Sequence, residues 1–257
     1  MKQKEIKILL DKKVDQYNQP FFIAEDPISI PHRFAQQQDI EIAGFFAAIL
    51  AWGNRKSIIN SCNKLMQWMN NQPYQFCLHH SQKDLQQLLN FKHRTYNTTD
   101  LLYCIAFFKQ HYSINNSLES AFTKWMNKKD ETVENGLIGF HNYFFSLPDF
   151  PERTRKHIAT PQKKSACKRL NMYLRWMVRS NITGVDFGLW NSIKPSQLIC
   201  PLDVHVSRVA KKLGILNRKQ NDWQAAMELT SYLKTLDACD PVKYDFALFG
   251  LGVVEKF

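Results

Sequence analysis

Two side chains in this sequence have the type and local setting for covalent chemistry: Lys168 at the start of one amphipathic helix and Asp203 at the start of the next. An amine that has lost its proton attacks an electrophilic carbon and forms a Schiff base. A carboxylate held nearby steadies the developing positive charge or moves protons. Asp203 suits the second part because an N-cap carboxylate is held in place by backbone amides. Lys164, a short way upstream, is the reserve nucleophile. The ordinary readings are a plain N-cap for Asp203 and a solvent-exposed or phosphate-binding lysine for Lys168.

The elements that must position these groups are legible from periodicity. From Ala166 to Arg179 the apolar residues Leu170, Tyr173, Leu174, Met177 and Val178 recur at helical spacing. Lys168, Arg175 and Arg179 fall near a different, cationic face, with Ser165 as the expected N-cap. From Pro201 to Gly214 a proline precedes the N-cap carboxylate, Val206, Val209, Ala210 and Leu213 lie on one side, and a glycine stops the helix.

The run Pro201-Leu202-Asp203-Val204-His205-Val206-Ser207-Arg208-Val209, ahead of a leucine-glycine stop, resembles the aspartate-bearing segment of the helix-hairpin-helix DNA glycosylases. Lys168, some thirty-five residues upstream, sits where that superfamily carries its lyase lysine, at the start of the hairpin's second helix. The Lys168 to Arg175 spacing is most similar to the archaeal 8-oxoguanine glycosylase branch, and the wider chain looks like an uncharacterised bacterial family related to it. The usual Leu-Pro-Gly-Val-Gly hairpin is absent, and Lys163-Lys164-Ser165-Ala166-Cys167 stands in its place. Without glycine this stretch is not expected to use positive φ easily to bring amides onto a phosphate, and lysines would substitute for them.

The resemblance implies an all-α, helix-hairpin-helix glycosylase-like fold of two helical lobes with a cleft between them. Residues 40–190 would form a helical barrel lobe, and 1–39 plus 191–257 the second, with Lys168 contributed by one lobe and Asp203 by the edge between them. The implied activity is that of a DNA repair glycosylase and AP lyase on an oxidised purine, 8-oxoguanine first, with Lys168 attacking the sugar C1′ and Asp203 assisting. A non-catalytic DNA-binding protein retaining the fold is the alternative. By the same resemblance, Trp52 and Asn54 in Trp52-Gly53-Asn54-Arg55 would support a flipped-out nucleotide. Asp245, Phe246 and Phe249 would grip the base.

The net charge of +11 points to a polyanionic partner, nucleic acid before membrane. The strongest local basic patch holds Arg153, Arg155, Lys156, His157, Lys163 and Lys164 with little acid beyond Glu152. The expected DNA contacts are Arg153, Arg155, Lys156, Lys163, Lys164, Arg169, Arg175, Arg179 and His205, on double-stranded DNA containing a damaged base. Phe91-Lys92-His93-Arg94-Thr95-Tyr96 also mixes cations with aromatics, as phosphates and stacked bases require or as a surface turn does. Cys62, Cys77, Cys104, Cys167, Cys200 and Cys239 are scattered without zinc-type spacing, and only Cys239 lies beyond residue 200. The four closely spaced C-terminal cysteines that hold a cluster in some glycosylases are absent, so no metal or cofactor is expected. No apolar run is long enough to span a bilayer and the N-terminus lacks a signal-peptide core, so the expected form is a cytoplasmic, nucleoid-associated monomer.

Elsewhere a polar helix is expected over 3–18, broken by Pro20, Pro27 and Pro31, and then a helix apolar all round from Ile42 to Trp52. Further helices fit Ser57 to Asn70, Gln82 to Leu89, Thr99 to His111, Leu118 to Met126, Leu137 to Phe145 and Trp223 to Lys234, with a last one behind Asp240-Pro241. No stretch shows strand alternation, so the class is all-α.

Overall fold

The computed structural model describes residues 2–179 and 183–257. Among them helix accounts for 60% and strand for 2%, and the chain is all-α. In chain order the helices are α1 (Gln3–Tyr17), α2 (Phe21–Ala24), α3 (Gln37–Ile49), α4 (Arg55–Trp68), α5 (Pro73–His79) and α6 (Gln82–Gln86). A small antiparallel hairpin follows, β1 (Lys92–His93) and β2 (Tyr96–Asn97), turning on Arg94 at φ 55°. Then come α7 (Thr98–Tyr112), α8 (Ser120–Thr123), α9 (Glu134–Phe144), α10 (Lys168–Val178), α11 (Val204–Lys212), α12 (Trp223–Leu236) and α13 (Tyr244–Val253). The hairpin was not foreseen, because two-residue strands carry no alternation to read. Nor was α5, which opens on Pro73 at its first turn, where a missing N–H costs nothing.

Two compact units emerge. One comprises Met1–Phe22, Met126–Ile138 and Ala159–Phe257, the other Ile23–Trp125 and Gly139–Ile158. These limits differ from lobes at 40–190 and 1–39 plus 191–257. Residues 159–179, with α10, go with the C-terminal helices because Arg175 and Arg179 of α10 pair with Asp245 and Asp240.

In the first unit α1 buries Ile6, Leu10, Val14 and Tyr17, and packs on α13. Gly250 permits that approach, since a Cβ there would stand 2.2 Å from the Tyr17 ring. α13 also packs on α11, and α10 buries Leu170, Tyr173, Leu174, Trp176 and Met177. In the second unit α3 is apolar all round and buried from Asp39 onward, as a central helix must be. Phe108, Phe140 and Phe144 close around its Phe45, Phe107 packs against Phe140, and Phe122 stacks on Phe140 with centroids 4.1 Å apart. Both carboxylates of this helix are buried and partnered: Asp39 accepts from the Tyr74 amide (2.8 Å), and Glu41 accepts from Tyr112 Oη (2.7 Å), Ser117 Oγ (2.6 Å) and the Leu118 amide (2.8 Å), which offsets its desolvation.

A candidate lysine–aspartate site

The approach to α10 is a turn at Pro161–Lys163 followed by Lys164 at φ 58° and Cys167 at φ 49°, both left-handed. The glycine-free stretch therefore does adopt positive φ, contrary to expectation, although each L-residue there costs roughly 1–2 kcal/mol. Tertiary contacts hold it in place. The Trp223 amide donates to Lys164 O (3.0 Å), Ser165 bridges to Asp222, and Asn171 Nδ2 donates to Ala166 O (3.0 Å). Cys167, not Ser165, is the N-cap residue, and Ser165 Oγ instead accepts from the Cys167 amide (3.2 Å). Burial pushes the Cys167 thiol up to about 12, so beside Lys168 it stays protonated and offers no competing thiolate.

Asp203 is the N-cap of α11, as expected. Its Oδ1 accepts from the amides of His205 (2.8 Å) and Val206 (2.9 Å). Its Oδ2 lies 4.0 Å from Lys168 Nζ, with 29% of the lysine side chain and 19% of the aspartate exposed. One oxygen is thus spent on the cap and the other faces the amine, and solvent or a ligand reaches both groups. Lys168 and Asp203 belong to the same unit, not to two lobes.

Along α10 behind Lys168 runs a buried ladder of alternating charge. Arg175 Nη1 pairs closely with Asp245 Oδ2, and its Nε lies 3.3 Å from Asp186 Oδ1, an ion-pair contact without hydrogen-bond alignment. Arg179 Nη1 pairs closely with Asp186 Oδ2, and its Nε donates to both oxygens of Asp240 at 2.9 Å. Both arginines are 4% exposed, so they do not form the cationic outer face expected for DNA. Burial pushes the Asp245 carboxyl up to about 6 against the opposing pull of Arg175; neighbouring Asp203 adds to the rise and Lys168 opposes it.

The expected base-gripping residues are largely interior. Asp245 is committed to Arg175, and Phe246 is fully buried under the Arg175 and Arg179 guanidinium groups, 4.3 and 5.5 Å from its ring centroid. Phe249 is half-buried, its ring edge-on to Phe22 at 6.0 Å. Trp52 and Asn54 lie in the other unit. Arg94 stacks over the Trp52 indole at 4.9 Å, and Asn54 caps α4 by accepting from the Ser57 amide (3.3 Å).

The basic patch is also partly spoken for. Arg153 pairs with fully buried Asp100, which also accepts from the Asn97 amide (2.9 Å) and Thr154 Oγ1 (2.8 Å), and the same guanidinium reaches Asn97 Oδ1 and Thr95 O. Arg155 donates to Glu152 (3.0 Å) and stacks on Phe150 (4.3 Å). Lys156, Lys163 and Lys164 are exposed and Arg169 is half-exposed. His205 packs its Cβ against Gly252, and its Nδ1 is buried without a hydrogen-bond partner, so it serves the α11–α13 contact. Sequence reasoning missed Asp186 and Asp240. Nothing in the local pattern around either aspartate says which cation it meets.

Among the described residues, no three His, Cys, Asp or Glu side chains come together as a metal site, and no helix is long and apolar enough to cross a membrane. Comparison with curated proteins and with solved structures found no match. A family model described as "Protein of unknown function (DUF2400)" matches residues 26–254, and with that coverage the chain belongs to this family.

Proposed function

We propose that this chain is a DNA glycosylase with AP lyase activity on an oxidised purine, 8-oxoguanine first, built on a helix-hairpin-helix glycosylase-like fold. The observation that carries the reading is the pairing of Lys168 Nζ with the free oxygen of Asp203, 4.0 Å apart at the starts of α10 and α11. The left-handed Lys164 and Cys167 support it further, since a tight turn opens α10 even without glycine.

The unprotonated Lys168 amine adds to the sugar C1′, and the damaged base leaves with the electrons of the glycosidic bond and takes up a proton. The sugar ring then opens to an imine on Nζ. Loss of a C2′ proton expels the 3′ phosphate and cuts the strand. Asp203 Oδ2 faces the nitrogen throughout, placed to accept the amine's proton and to steady the iminium. A base inside a duplex is out of reach, so the nucleotide must first leave the stack.

Borohydride reduction of the imine is the test. Wild type should form a covalent adduct with 8-oxoguanine duplexes, and Lys168→Gln should not, with fold and most DNA affinity retained. Asp203→Asn keeps a capping side chain, so stability should fall by no more than about 1 kcal/mol. Its rate should drop by orders of magnitude, at about tenfold per 1.4 kcal/mol of lost transition-state stabilisation. No wild-type adduct with any oxidised purine or abasic site would leave a non-catalytic DNA-binding protein. Trapping that survives Lys168→Gln but not Lys164→Gln would move the nucleophile to Lys164.

A further inference from the structure

Four of the cations the sequence singles out for DNA, Arg153, Arg155, Arg175 and Arg179, are held in internal ion pairs, yet the chain carries a net charge of +11. Some of that excess converges elsewhere. An open groove of about 480 Å³ lies on the second unit along α4, lined by Lys56, Ser57, Asn60, Ser61 and Lys64 with Lys92 from β1 opposite and Asn54 at its end. All three lysines are exposed, and none takes part in an ion pair of the described residues. No lining residue is acidic or aromatic.

The groove is built, not incidental. Lys56 and Asn60, and Ser57, Ser61 and Lys64, repeat at helical spacing along one side of α4. β1 is tied to that side by His93, a 3% exposed residue whose Nδ1 lies 2.9 Å from Ser61 Oγ. This holds Lys92 in the same groove lining as Lys56 and Lys64. From Lys56 to Lys64 the helix advances about 12 Å at 1.5 Å per residue. A run of that length is long enough to meet more than one phosphate of a single strand.

We infer that the α4–β1 groove is a binding site for the phosphodiester backbone of duplex DNA, with Lys56, Lys64 and Lys92 pairing phosphates and Ser57 and Asn60 donating to their oxygens. A single-stranded ligand is disfavoured, because bases would need aromatic faces to stack on. The nearby indole of Trp68 is already covered by the Lys64 ammonium at 4.5 Å and meets Phe91 at 6.2 Å. The groove contains no group able to do chemistry on a base, so its part is to hold and orient. It rests on the nucleic-acid reading above but not on the lysine chemistry.

The test is duplex affinity as a function of salt for wild type, Lys56→Gln/Lys92→Gln, and a control, Lys4→Gln/Lys12→Gln, that removes the same charge from exposed positions of α1. Each lost phosphate contact lowers the slope by roughly 0.9, so the groove variant should lose about 1.8 and the control close to nothing. Circular dichroism and thermal unfolding establish that all three are folded. An unchanged slope, or an equal loss in the control, overturns the groove while duplex binding by wild type stands. Wild type that binds no duplex overturns both the groove and the nucleic-acid reading. Inorganic tripolyphosphate serves as a second probe: if the groove variant loses tripolyphosphate binding but keeps its duplex slope, the site is for a small polyphosphate and the inference fails.

Discussion

Removing Arg175 tests the buried ladder that underlies the lysine–aspartate pair. In Arg175→Met, Asp245 loses its partner while Asp186 keeps Arg179, so one buried carboxylate is left uncompensated. Breaking a buried pair in this way costs about 3–5 kcal/mol. The cost should depend on pH. Burial already raises Asp245 to about 6 in the presence of Arg175, which pulls it down, so without Arg175 it rises further. Between the ordinary carboxylate value and pH 6 the folded wild type and variant both hold the extra proton, and both lose stability with rising pH at the same rate. Above pH 6 the wild-type carboxylate is ionised and its slope ends. The variant continues to lose about 1.4 kcal/mol per pH unit up to its own higher value. Urea unfolding followed by tryptophan fluorescence at pH 6 and pH 8 should therefore show a penalty that grows with pH. Asp245→Asn keeps a hydrogen-bonding side chain and leaves Arg175 with Asp186, so it should cost less. Adding it to Arg175→Met should recover much of the loss, because no ionisable orphan remains. A penalty that stays flat from pH 6 to pH 8, or a double variant no more stable than Arg175→Met, would refute this account.

Lys164→Gly should be more stable than Lys164→Ala by about 1 kcal/mol in thermal or urea unfolding, since the exposed residue sits at φ 58° and only glycine is free of the left-handed penalty; the reverse order would show that the turn relaxes. Arg153→Glu should destabilise by more than 1 kcal/mol, because it sets a carboxylate against fully buried Asp100; lost duplex affinity without lost stability would return Arg153 to the DNA surface.

What could be read in the sequence is what local rules encode. The period of Leu170, Tyr173, Leu174 and Met177 marked α10, Asp203 announced itself as an N-cap, and the all-round apolar run from Ile42 made α3 a central helix. Each of these depends on residues within a few turns of one another. The charges were a different matter. On a helical projection Arg175 and Arg179 make a cationic face, and an arginine in water and one neutralised inside the protein have the same letter. Which it is depends on Asp245, seventy positions away, and on Asp240, sixty-one away. The same holds for the glycine-free turn, where a penalty visible in the residue types is overridden by contacts from Asn171, Asp222 and Trp223. Lys56 and Lys92 form one groove only because His93 ties a two-residue strand to α4. Periodicity and capping are short-range and survive in the chain as written, whereas pairing of charges and the shape of a surface are decided by which distant segments the packed core brings together.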